Sequence, residues 1–234
     1  MAISTHLNGL SGGFSRVTRS TLPLLWWSLL AKAQTLSPIS THRPTQGINA
    51  SLVEPGGWQV ESGFEPYGGA GFAPEFVLQP RLGLAKWAEV FWTARVARPG
   101  SAWRFRTLAL SPKVQLLKRQ TWQIALVGWG YALLDEWKAR GEVSCLMDFG
   151  VTAQGVLTIN GSLQAGPGQP PTYFVTAFYT QGIGSRFSTW VEAFVYWPGP
   201  TLGIGSGCQY LFGQGRLAAV DLALNYRTGG ASRC

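Results

Sequence analysis

Val220-Asp221-Leu222-Ala223-Leu224-Asn225-Tyr226-Arg227 is the stretch on which the fold turns. Val220, Leu222, Leu224 and Tyr226 fall on one side of a two-residue period, and Asp221, Asn225 and Arg227 on the other. Successive side chains of a strand point to opposite faces, so the pattern predicts a strand with one apolar and one polar face. Residues 58–65 repeat it, with Trp58, Val60 and Phe64 opposed to Gln59, Glu61 and Glu65. Residues 142–149 set Val143, Cys145, Met147 and Phe149 against Glu142, Ser144 and Asp148.

Outward from these stretches, similar segments bounded by turn residues recur at 58–65, 73–84, 87–97, 103–117, 121–133, 141–151, 153–164, 172–182, 186–197, 202–212 and 216–227. No helical apolar period competes over any long stretch. In 103–117 the parity slips near Ser111-Pro112, which predicts a bulge or bend there. One strand and turn per roughly 15–17 residues gives about ten to twelve strands, and an even count is the norm for bacterial single-chain barrels.

A soluble β-sandwich alternates too, so the polar face has to discriminate. Charged residues make up 13% of the chain and hydrophobic ones 46%, whereas a typical globular domain is about 25% charged. The polar face mixes single charges with Gln, Asn, Ser, Thr and Gly, as an enclosed lumen would. Trp58, Trp87, Trp103, Trp122, Tyr196 and Trp197 gather near strand ends, as interfacial girdles do. The expected fold is therefore all-β: an antiparallel up-and-down transmembrane β-barrel of 57–234, with a soluble periplasmic β-sandwich binding protein as the alternative.

The N-terminus reads as an export signal. Arg16 and Arg19 precede the apolar run 21–30, and Ala31-Lys32-Ala33 follows as an A-x-A cleavage site. That run is too short for a spanning helix, which needs about 20 residues. Residues 1–33 are thus expected to be a cleavable signal peptide, and 34–56, rich in Pro, Ser, Thr and Gly, an extended periplasmic lead-in. Loss of Arg16, Arg19 and Lys32 would take the formal charge from +8 to about +5. The remaining basic residues are dispersed, which argues against a nucleic-acid partner. The implied location is the bacterial outer membrane, with membrane lipid, lipopolysaccharide and the barrel-assembly machinery as partners.

Catalytic chemistry finds little footing. The mature chain would keep only His42, ahead of the first strand, so no Ser-His pair can form within the barrel. Cys145, Cys208 and Cys234 match no metal spacing, and there is no phosphate-binding or dinucleotide-binding glycine motif. No enzyme activity, cofactor or metal is expected, and Cys145 and Cys208 read as small apolar residues on strand faces.

The order of several short motifs is similar to that of the MetA-pathway of phenol degradation family of outer-membrane transporters. They are Thr41-His42-Arg43-Pro44-Thr45-Gln46, the run Val53 to Phe64, Pro80 to Leu84 with Trp87 to Val90, Leu110 to Leu117, Trp190 to Phe194, and Val220 to Leu224. The resemblance spans the mature chain and implies passage of small aromatic or hydrophobic solutes. His42 stands where the family's lead-in carries Asp.

By strand parity Glu61, Glu75, Arg81, Glu89, Arg95, Arg104, Arg106, Lys113, Glu142, Asp148, Glu192, Asp221 and Arg227 should point into the lumen. A cation facing lipid at mid-depth costs about 2–4 kcal/mol, which enforces that choice. Two readings stay open: a polar conduit, or a cross-lumen ion-pair network that fills a structural or surface barrel. In either, Glu192 and Asp221 are expected to neutralise arginines among Arg81, Arg95, Arg104 and Arg106.

Overall fold

A computed structural model describes residues 2–5, 48–65, 74–98, 102–134, 138–198, 201–212 and 218–228. Among them every regular element is a strand: β1 (Ala2–Thr5), β2 (Trp58–Glu65), β3 (Glu75–Ala85), β4 (Ala88–Ala97), β5 (Arg104–Lys118), β6 (Trp122–Leu133), β7 (Lys138–Gly150), β8 (Gly155–Gly166), β9 (Gln169–Ile183), β10 (Phe187–Trp197), β11 (Thr201–Phe212) and β12 (Ala218–Thr228). Each segment predicted from residue 58 onward is a strand, with ends displaced by at most three residues. From β2 to β12 each strand pairs antiparallel with the next, an up-and-down sheet. Short β1 pairs antiparallel with both β2 and β12, through Ala2↔Gly63 and Ala2↔Asp221 among others. It falls inside the span read as a signal peptide. The Ala31-Lys32-Ala33 site, the lead-in up to residue 47 and Cys234 lie outside the described residues.

Alternation becomes burial. Along β7, Ser144, Leu146 and Asp148 are buried while Val143, Cys145, Met147 and Phe149 face the other way. Along β10, Trp190, Glu192 and Phe194 are buried and Val191 is exposed. The buried face is the concave one, because side chains from six consecutive strands, β3 to β8, converge on residues 48–53, that of β3 through Arg81 Nη2 donating to the Ser51 carbonyl. Leu222 and Tyr226 of β12 are exposed, on the face predicted for them. The side chains of Asp221, Asn225 and Arg227 lie outside the described part.

The slip expected at Ser111-Pro112 is placed elsewhere. The β5–β6 register runs unbroken from Leu110↔Gly130 to Lys113↔Val127. The extra residue is Arg106: Arg95 pairs with Thr107 but Val96 with Phe105. Parity must change somewhere between Arg106 and Lys113, and Pro112 is an obvious place to put it. Proline tolerates an outward position where it need not complete the ladder. A second irregularity on β5 leaves Leu116 unmatched against β6.

Two glycine arrangements hold local geometry. Pro167-Gly168 joins β8 to β9 in two residues, and Gly168 takes φ +69, a conformation that costs glycine little. On β11, Gly203 and Gly207 lie opposite Phe194 and Trp190, whose rings occupy the space a Cβ would need. Large side chains on β10 are thus packed over bare backbone on β11.

Four of the tryptophans read as girdle residues are exposed: Trp87 and Trp122 at the end of the sheet holding the β3–β4 and β5–β6 turns, Trp103 and Trp197 at the other. Trp58 is half-buried, edge-on to Trp92 at 5.7 Å. Tyr196 is a correction: it shares the inner parity of Glu192 and Phe194 and stacks on Phe174 at 4.5 Å. Proximity to a strand end does not decide a face; parity does.

Candidate functional site

The site is the charged inner face and the segment that lies on it. Adjacent strands bring the inner positions of β2, β3, β4 and β5 side by side, through Gln59↔Arg81, Gly83↔Glu89 and Glu89↔Lys113. Arg81 is fully enclosed, with Nη1 donating to Glu61 Oε1 at 3.0 Å and Nη2 to Glu89 Oε1 at 2.8 Å. Lys113, also enclosed, holds Nζ 3.5 Å from Glu89 Oε1. Gln59 Nε2 donates to Glu61 Oε1 at 3.0 Å. Charges removed from water on this scale persist only when paired and hydrogen-bonded.

Asp148 on β7 forms a second centre. It accepts from Thr158 Oγ1 at 2.8 Å, Gln123 Nε2 at 2.7 Å and the Ala50 N–H at 3.0 Å. Towards the opposite end Arg95 pairs with Glu75 at 2.6 Å. Glu142 accepts from Tyr131 Oη and Ser144 Oγ, each at 3.0 Å.

Residues 48–53 thread between these centres. The Val53 N–H donates to Glu89 Oε2 at 2.7 Å. Lys113 Nζ donates to the carbonyls of Asn49 at 2.8 Å and Ser51 at 2.6 Å. Asn160 Nδ2 donates to the Ile48 carbonyl at 2.8 Å, and Gln123 Nε2 to Ser51 Oγ at 2.8 Å. Ala50 is fully buried in an apolar cluster with Phe91, Ala125, Val127 and Leu146. The chain then turns into β2 beside Gly83, whose absent Cβ leaves room for the carbonyls of Val53 and Glu54.

Of the residues predicted to face inward, Glu61, Arg81, Glu89, Lys113 and Asp148 are brought together around the segment. Glu75 with Arg95, and Glu142, form separate groups. Glu192 is buried and accepts from Thr176 Oγ1 at 2.9 Å, whereas Arg81 sits on Glu61 and Glu89 and Arg95 on Glu75. Arg106 is half-buried at the bulge, and Arg104 is exposed at the start of β5. Asp221 and Arg227 have no described side chains.

Gln59, Gln123, Thr158 and Asn160 join the site without having been singled out. Their inner parity was available, but uncharged residues give no penalty by which to rank them. Residues 48–53, expected as part of an extended periplasmic lead-in, lie instead against the inner face, and nothing in their sequence marked this seat because backbone groups make most of their bonds.

Beside the segment, towards β8–β11, lies a cavity of about 410 Å³. Its lining includes Asn49, Ser51, Asp148, Thr158, Phe178 and Gln209. Hydroxyls and amides share it with the cations Lys118 and Arg119 and the rings of Trp122 and Phe178. Among the described residues no group of His, Cys, Asp and Glu could hold a metal ion. No protein-family model, curated protein or solved structure matches the chain.

Proposed function

We propose that the sheet closes on itself as a membrane-spanning β-barrel of the bacterial outer membrane, of transporter or channel type. The observation that carries this reading is the inversion of the two faces. Arg81, Glu89 and Lys113 are no more than 1% exposed, while Leu110, Val143, Val191 and Ile204 on the outer face are 57–61% exposed. In water each such outer residue forgoes burial worth about 25 cal/mol per Å² of apolar surface. Against hydrocarbon the same face carries no such penalty, and the charges belong inside. A soluble β-sandwich would place them the other way round.

Closure is supported by the pairing of β1 with both β2 and β12, and membrane depth by exposed tryptophans at both ends. Strands of this length fit a tilted crossing, for which about 9–11 residues suffice. The likeness of motif order to the MetA-pathway family favours solute passage as the role. The cavity, with the Phe178 ring among amides and hydroxyls, fits a small solute bearing both an aromatic ring and hydrogen-bonding groups. Export by a cleaved signal peptide, insertion by the assembly machinery, and lipid and lipopolysaccharide as surroundings belong to the same proposal.

A structural barrel is the second reading, favoured by the seating of residues 48–53 across the inner face. Extraction and bilayer recording separate the possibilities. The expected protein needs detergent for release from membranes, migrates differently on gels before and after heating, and conducts ions in planar bilayers. Release by buffer alone would overturn the barrel. Insertion without any conductance would leave the structural role.

A further inference from the structure

We infer that the inner wall of β3–β8 is a binding site for an uncharged peptide segment, that residues 48–53 are its resident occupant, and that their release opens the lumen. The inference rests on the barrel reading above and adds how such a barrel would be kept shut.

The occupant, Ile48-Asn49-Ala50-Ser51-Leu52-Val53, has no charged side chain. The wall reads its backbone. Acids take the N–H groups of Ala50 and Val53, while Lys113 and Asn160 supply donors to the carbonyls of Ile48, Asn49 and Ser51. Donors and acceptors on the wall are thus matched to the backbone of a segment that bends at Ala50, as a peptide site requires. Ser51 Oγ adds a side-chain hydrogen bond, accepted from Gln123 Nε2.

The charged groups of the wall keep partners without the occupant, while Lys113 gives up two short hydrogen bonds and Asn160 its bond to Ile48. Glu89 keeps Arg81 and Lys113, Arg81 keeps Glu61, and Asp148 keeps Gln123 and Thr158. Departure of the segment therefore leaves no bare charge, the condition that would make a buried segment irremovable. Its apolar anchors are the fully buried methyl of Ala50, the Ile48 side chain packed against the same cluster, and Val53. The cavity of about 410 Å³ borders Asn49 and Ser51, so one flank of the segment is already open. A segment held by exchangeable hydrogen bonds and three aliphatic anchors without a ring, with one flank open, can leave and return.

The test uses full-length protein with Cys145, Cys208 and Cys234 replaced by Ser, recorded in planar bilayers in potassium chloride. Ala50→Pro removes the N–H that Asp148 accepts while leaving every wall residue in place. Lys113→Met removes both carbonyl contacts. Each is expected to raise the open fraction roughly tenfold or more, the factor carried by one charge-assisted hydrogen bond. The free hexapeptide Ile-Asn-Ala-Ser-Leu-Val should restore the closed level. In parallel, Ala50→Cys should react slowly with a water-soluble thiosulfonate, and faster by a similar factor when combined with Lys113→Met. Variants that keep the heat-dependent gel shift but show unchanged current and unchanged labelling would overturn the inference and make the segment a fixed part of the core. A protein that never enters bilayers overturns the barrel reading instead, and the labelling rates still decide whether the segment leaves its site.

Discussion

At Glu89 one carboxylate meets Arg81 at 2.8 Å, Lys113 at 3.5 Å and the Val53 N–H at 2.7 Å, in a position 1% exposed. Glu89→Gln removes the charge that both enclosed cations share. Breaking a buried pair from one side costs about 3–5 kcal/mol, whereas Glu54→Gln at an exposed position should stay within about 0.5 kcal/mol. Urea midpoints of the two variants in detergent check the contrast; equal midpoints would mean that the network contributes nothing. Gly83 permits a second test. A methyl there would meet the carbonyls of Val53 and Glu54, backbone that cannot swing aside. Gly83→Ala should therefore shift the segment off Glu89 and speed thiol labelling of Val53→Cys by a water-soluble reagent. At this scale the sequence is legible only as far as a face. Parity put Arg81, Glu89 and Lys113 on one face, and all three are buried. The partner of each depended on which strands lie side by side and how deep each residue sits. The hydrogen bond that Thr176 Oγ1 donates to Glu192 is one such pairing that parity leaves open.

The strands themselves were readable because each writes its two faces in alternating residue types, and turn residues mark where that writing stops. Where a strand holds an extra residue, composition locates the change of parity only between its neighbours, as with Arg106 on β5. The β11 glycines show how an element can be fixed by what it lacks. At Gly207 a side chain would collide with the Trp190 ring and the Leu222 carbonyl. Gly207→Val is expected to lower stability by about 1–3 kcal/mol, the usual cost of overpacking. A urea midpoint equal to that of the parent would show that β10 and β11 can separate locally without loss. The outer face has its own test, since on the membrane reading its depth in lipid sets the penalty for charge. Leu110 lies mid-strand on β5 and Leu202 beside the start of β11, 57% and 59% exposed. Leu110→Arg should cost about 2–4 kcal/mol and Leu202→Arg only about 0–1 kcal/mol. Similar small costs at both positions would place the outer face in water.

For the whole molecule, the directions of the strands impose a condition that local patterns do not reveal. Successive antiparallel pairings make β2 and β12 run the same way, and β1 runs opposite to both between them. The alternation supplied the segments from 58 onward but not this one, because four residues, Ala2–Thr5, are too few to display a period. The same residues lie within the span that charge, apolar run and Ala31-Lys32-Ala33 mark for removal. The two readings make opposite demands on the mature protein. A chain beginning at Gln34 would lack β1, and β2 and β12 could then meet only in parallel. Parallel pairing is slightly less stable per residue and foreign to an otherwise antiparallel sheet. A chain that keeps Ala2 would retain β1 and the even strand count that lets an up-and-down sheet close. The export reading predicts an intact mass for the membrane-derived protein corresponding to a start at Gln34. It further predicts that a chain expressed without residues 1–33 still folds in detergent and shows the heat-dependent gel shift. Retention of Ala2 in the isolated protein, or loss of that shift on truncation, would instead make the first residues part of the wall, with export addressed by other means.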